Sequence, residues 1–269
     1  MFKRILVPLD GSEQAEAAID WVKKIAARDR PLVTLVRMAA WPVPQDAESV
    51  ARSVEEARNY LQGMERELNY AGIPAKIIAR SGAATPGILR VCEESRGDAI
   101  VMTARGGSKV TRWLVGGTAE QVMRLSEVPV LLVRGKSPRR IHRMLVPVDG
   151  SARAEAAIPA LALIARQLKC AMLFLHVCPP GRKSNAYEAE FSRLLRRIVA
   201  LSARLKRNGV RASFRAEVGD AAEHIVKASA RAQMIAMTTH GRGGVKRWIF
   251  GSVAEKVVHA APVPVLIWK

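Results

Sequence analysis

The chain has 269 residues, 49% of them hydrophobic and 25% charged, which is enough apolar sequence to bury a core in each of two ordinary domains. No apolar run reaches the length of a membrane-spanning helix and the opening "MFKRILVPLD" has no small-residue cleavage site, so a soluble cytoplasmic protein is expected. The net charge of +19 is unevenly spread: residues 1–137 hold 20 Lys+Arg against 16 Asp+Glu, residues 138–269 hold 23 against 8, and the basicity belongs to the second half.

Short runs rich in Val and Ile alternate with helical patterns along the whole chain, as in successive strand–helix–strand crossovers. The first half predicts strands over 4–8, 32–38, 75–80, 99–103 and 130–133. Ser12 stands where an N-cap belongs, and Thr85 precedes Pro86 at a helix start. The second half predicts strands over 144–147, 172–177, 212–216, 234–238 and 263–268. There Ser151 is the expected cap, Asp220 with Glu223 and Ser252 with Glu255 have capping-box spacing, and Pro159 predicts a kink.

The two halves are copies of one unit. "RILVPLDGSEQAEAAI" from Arg4 returns as "RMLVPVDGSARAEAAI" from Arg143; "TRWLVGGTAEQV" from Thr111 returns as "KRWIFGSVAEKV" from Lys246; "VPVLLV" returns as "VPVLIW". Domains over 1–136 and 140–269 follow, joined near "RGKSPRR". Each holds five strands and four helices in a doubly wound parallel sheet, so the fold class is α/β.

Three cysteines, Cys92, Cys170 and Cys178, form no CxxC pair and leave an odd one over, which fits a reducing compartment. Cys170, His176 and Cys178 can be drawn as metal ligands, but the spacing along "CAMLFLHVC" is that of one face of a buried strand.

Ligands of doubly wound sheets settle at the carboxyl ends of strands, where strand order reverses. In each copy the first strand runs into Asp10 or Asp149, and the fourth into a glycine loop that leads to a helix. In "THGRGGVKRWIFGS" the glycines Gly241, Gly243 and Gly244 let backbone N–H groups approach an oxyanion. Gly251, Ser252 and Val253 open a helix whose first N–H groups lack internal partners, and Arg242, Lys246 and Arg247 add positive charge. A nucleotide phosphate is the expected ligand. The bland alternative for the loop is a surface turn capped by Ser252, and Asp149 is equally suited to capping the helix that follows it.

The "VPxDGS" opening, the "THGRGG" loop, "GSVAEKV" and the closing "PVPVLIW" resemble universal stress proteins, and the repeat resembles a tandem member of that family. The resemblance covers nearly the whole chain. It implies an adenine-nucleotide alpha-hydrolase-like fold with sheet order 3-2-1-4-5, which sets the first and fourth strands side by side. ATP-binding members carry G-x2-G-x9-G-[ST]. Gly241, nine intervening residues, Gly251 and Ser252 match it, while Thr238 stands where the first glycine belongs. In the first copy Gly106 and Gly116 keep the spacing, but Thr103 replaces the first glycine and Gly117 the Ser/Thr. Thr118 follows one position late, placed to cap with Gln121 or to bind phosphate. The second copy is therefore the expected ATP site.

By the same resemblance Asp10 and Asp149, with Pro8 and Pro147, contact the nucleoside. Met38 and Val177 line the adenine pocket together with Met102 and Met237, positions that core packing alone also explains. Magnesium would accompany the phosphates. The final strands resemble the edges through which family members pair their domains, so a tandem chain imitates a dimer and a homodimer of chains is expected beyond it.

No Walker A pattern occurs and no catalytic triad is indicated by spacing, so no catalytic residue is assigned. With no general base evident, ATP hydrolysis is expected to be slow or absent. His240 in the loop is read as a neighbour of phosphate. The other reading of function is a nucleic-acid or anionic-surface binder. "RLLRRIVALSARLKR", from Arg193 to Arg207, sets Leu194, Ile198, Leu201 and Leu205 on one stripe and basic residues on the rest. A solvated helix face is the preferred explanation of those cations, because no aromatic stacking platform accompanies them.

Overall fold

The computed structural model describes residues 2–39, 46–104, 115–181, 185–239 and 251–269. The chain divides into two compact units, Met1–Ser137 and Pro138–Trp268. The first runs β1 (Arg4–Pro8), α1 (Glu13–Ala26), β2 (Leu32–Ala39), α2 (Ala47–Tyr70), β3 (Ala75–Ser81), α3 (Ala84–Glu94), β4 (Ala99–Thr103), α4 (Gly117–Leu125) and β5 (Val130–Val133). The second repeats it as β6 (Arg143–Pro147), α5 (Ala152–Gln167), β7 (Ala171–Cys178), α6 (Asn185–Arg207), β8 (Ala212–Val218), α7 (Ala221–Ser229), β9 (Met234–Thr238), α8 (Ser252–Ala260) and β10 (Val265–Trp268).

Strand order is β3-β2-β1-β4-β5 in the first unit and β8-β7-β6-β9-β10 in the second, with parallel pairing within each. The expected α/β fold and 3-2-1-4-5 order are therefore present twice. Reversal of direction after β3 and β8, with right-handed crossovers, sends two helices of each unit to one sheet face and two to the other. Contacts between α1 and α2, α3 and α4, and α7 and α8 agree.

Central strands are apolar throughout because helices cover both faces: β4 buries Ala99 to Met102 and β9 buries Met234 to Met237. Each fully buried Leu, Ile or Val contributes about 1.5–3 kcal/mol. β3 and β8 hold only exposed and half-buried positions. Trp21 of α1, 1% exposed, completes the first core and donates its indole N–H to Gly135 O at 3.2 Å.

Helix starts depart from the expectations in three places. The cap of α3 is Ala83, so Thr85 lies inside the helix, buried, and donates its hydroxyl to Gln121 Oε1 at 2.8 Å. Thr118 is the second residue of α4 and Ser252 the first of α8, the caps being Gly116 and Gly251. α5 continues through Pro159, which is exposed, so the lost helical hydrogen bond does not end the element.

Candidate functional site

Each unit presents its candidate residues along the carboxyl edge of its sheet. In the first, β1 ends at Pro8, paired with Val36, and Leu9 N–H extends the ladder to Val36 O at 2.8 Å. Asp10 follows, and its Oδ1 accepts from Ser12 N at 2.9 Å and Ser12 Oγ at 2.6 Å. Ser12 Oγ in turn accepts from Ala15 N at 3.2 Å, capping α1. Gly11 between them adopts φ +89°, and a Cβ there would come within 2.7 Å of the Arg37 guanidinium. The second unit repeats the turn: Asp149 Oδ1 accepts from Ser151 N at 3.0 Å, and Ser151 Oγ accepts from Ala154 N at 3.2 Å. Both aspartates thus hold the turn that starts the helix while standing at the strand end.

The glycine loops leave and return at the neighbouring strand, since β1 pairs β4 and β6 pairs β9. Gly116 N–H donates to Ala104 O at 2.8 Å, and Gly251 N–H to Thr239 O at 2.9 Å. Each bond joins the residues that flank the glycine-rich segment of its unit. Gly106, His240, Gly241 and Arg242 lie outside the described residues.

No side chain caps α4 or α8, whereas Ser12, Ser151 and Asp220 cap α1, α5 and α7. The first internal bonds run from Glu120 N to Gly116 O and from Glu255 N to Gly251 O. The amides of Gly117, Thr118 and Ala119, and of Ser252, Val253 and Ala254, therefore have no helical acceptor, and the helix dipole adds positive potential there. Gly117, Thr118, Ser252 and Val253 are exposed.

The apolar candidates divide. Met102 and Met237 are 6% exposed and belong to the core as much as to a pocket wall. Met38, paired with Arg80, folds its thioether over α3: a Cβ at Gly87 would lie 2.3 Å from Met38 Cε. Val177 is half-buried and pairs with Glu217, Pro147 pairs with Leu175, and Thr238 ends β9 opposite Trp268.

Three sets of contacts went unread in the sequence, although His176 was placed on the buried face of its strand. Arg37, one residue before Met38, lies over the Tyr60 ring of α2 at 5.0 Å from its centroid. Burial, with Glu16 nearby, pushes the Tyr60 phenol above its usual range. At the corresponding place His176 is buried, stacks on Phe191 at 5.7 Å and sets Nδ1 2.8 Å from Val148 O. A carbonyl only accepts, so Nδ1 carries the proton. The signal for both was a polar ring or cation inside an otherwise apolar strand run. The third is His224, at the position of Gly87: it bonds Glu217 and holds that carboxyl below its usual range, with Arg215 Nε 2.5 Å from the same carboxylate.

Burial pushes the Cys92 and Cys170 thiols up to about 11, so neither is a thiolate nucleophile near neutral pH. In α6, Leu194, Ile198 and Leu205 are buried while Arg193, Arg196, Arg197, Arg204, Lys206 and Arg207 are exposed, and Arg197 pairs with Glu155 at 3.0 Å. Among the described residues no helix is long and apolar enough to cross a membrane.

A model of the universal stress protein family matches residues 1–134 and again 140–269. A universal stress protein of Mycolicibacterium smegmatis is 25% identical over 288 residues, spanning 98% of this chain and 96% of the relative. One from Mycobacterium tuberculosis is 27% identical over 294 residues, with the same shares of each chain. The crystal structure of a universal stress protein from Archaeoglobus fulgidus shares the fold with a TM-score of 0.76, over 99% of this chain and 98% of that one, at 22% identity.

Proposed function

We propose, from the premise that the chain belongs to the universal stress protein family and so to the stress-response proteins, that its second unit is an ATP-binding regulatory module. The observation that carries this reading is the uncapped start of α8, with three amides lacking helical acceptors, next to the strand end that bears Asp149. A helix start of this kind supplies N–H donors and positive potential to a phosphate without a side-chain competitor. Ser252 would add its hydroxyl, Arg242 a cation, and Asp149 with Pro147, Val177 and Met237 the contacts to the nucleoside.

The first unit offers the same amides from Gly117 and Thr118 but no hydroxyl at the first helical position. Nucleotide therefore occupies the second unit first. Magnesium accompanies the triphosphate, and the chain's own residues supply binding and orientation rather than a general base, so turnover is slow. Occupancy changes the surface offered to a partner, and two chains associate as a homodimer.

Calorimetric titration of nucleotide-stripped protein with ATP and magnesium tests the reading. Saturable binding at or below millimolar ligand is expected, and none at that concentration overturns it. The basic face of α6 carries the alternative, contact with nucleic acid or another anionic surface. Salt-dependent DNA retention lost in R193Q/R196Q/R197Q would favour that alternative, and retention indifferent to salt would count against it.

A further inference from the structure

The strands of the second unit begin among cations. Arg143 opens β6, Arg211 immediately precedes β8, and Arg231 lies in the turn before β9; all three are exposed. With His142, Ser213 and Gln233 they line a cleft of about 370 Å³. Among the described residues no carboxylate pairs with any of the three guanidinium groups. The cleft sits at the amino edge of the sheet, a strand length of about 15–20 Å from the carboxyl-edge crevice.

Gln233 fixes the character of this cleft. Its Oε1 accepts from His142 N and from Arg143 N, each at 2.9 Å, so the amide NH2 is the end left to donate. Ser213 contributes a hydroxyl. The cleft is thus lined by donors and cations around a space large enough for a small molecule; guanidinium forks match carboxylate and phosphate oxygens, and three of them together favour the more highly charged phosphates.

The first unit shows what the cleft would be without this arrangement. There Asp98, in the turn before β4, accepts from Lys3 N at 2.7 Å and Arg4 N at 3.0 Å, the same two backbone bonds made by a charged group. Pro74 stands immediately before β3, where the second unit has Arg211. Thus the second unit keeps the hydrogen bonds that join these strand starts, removes the negative charge and adds a guanidinium.

We infer that the cleft formed by Arg143, Arg211, Arg231 and Gln233 is an anion site that takes a small ligand with linked phosphate groups. It is separate from the ATP crevice and independent of whether that crevice binds nucleotide. The decisive variant is Gln233→Asp, which keeps an acceptor for both backbone N–H groups while introducing the carboxylate of the first unit.

Tripolyphosphate and ADP serve as probes in calorimetric titrations of the full chain at low salt. Wild-type protein is expected to bind at least one probe with a component that Gln233→Asp weakens about tenfold or more and that fades with added salt. Which probe carries that component tells an inorganic chain from a nucleotide's diphosphate. Arg211→Gln/Arg231→Gln, a second variant on exposed side chains, should lose the same component, and unchanged thermal melting certifies the fold of each. If neither probe has a component sensitive to these variants, the inference is overturned.

Discussion

The two units build one crevice wall in opposite ways. In the first, a long side chain on the strand meets a bare helix position, Met38 against Gly87. In the second the strand residue is the shorter Val177, and the helix carries His224, bonded to Glu217. The strand side chain is shorter and the helix side chain larger in the second unit, while the sheet register stays the same. The chemistry does change. One wall is a flexible thioether and the other a titratable ring, and a duplicated scaffold can therefore hold two different sites.

The comparison breaks most sharply at the uncapped helices. Gly251 has φ −63° and ψ 137°, angles an aspartate N-cap adopts without strain. Gly251→Asp should therefore leave the fold intact, engage the α8 amides and repel phosphate. A loss of ATP affinity of about 100-fold, or ~2.8 kcal/mol, is expected by calorimetry. Gly116→Asp in the first unit should change that affinity little; equal losses in both would erase the distinction between the units.

A smaller effect separates the two walls. Gly87→Val forces branched carbon onto Met38 and should destabilise the chain by about 1–3 kcal/mol in urea unfolding. Adding Met38→Val, which imitates the second unit's strand, should recover most of the loss. Smaller again, Ser12→Ala and Ser151→Ala should each cost about 1 kcal/mol, because each hydroxyl caps its helix through one amide.

The smallest effect is one of pH. Glu217 is held below its usual range by its bond to His224, so its stabilisation is complete above the unfolded carboxylate value of about 4.3 and is lost as pH falls through the lowered value. Acid unfolding of His224→Phe should show less added pH dependence below about 4.3 than the wild type; identical slopes would mean the pair contributes nothing.

Much of this was legible in the amino-acid order, for reasons that differ by element. β1, β4, β5 and β9 match their predicted spans because each is a nearly unbroken, buried apolar run. β10 starts at Val265, two residues after its predicted start. Helix starts were harder. Ser252 reads as a cap by composition, yet loop closure from Gly251 to Thr239 moves the cap one residue back, a choice made by a bond between distant chain segments. His176 was read correctly as buried in its strand, but its partner Phe191, like Tyr60 over Arg37, sits on a helix whose rotation over the sheet is a tertiary outcome. The Asp98 and Gln233 bonds join residues 90 to 95 apart and leave no local pattern.

The central claim is that the bare amides opening α8 hold a triphosphate. An ATP titration of isotopically labelled protein followed through backbone amide signals tests it most directly. The signals of Ser252, Val253 and Ala254 should shift and saturate before those of Gly117, Thr118 and Ala119. Saturation of ATP binding with the α8 amides unmoved would contradict the account.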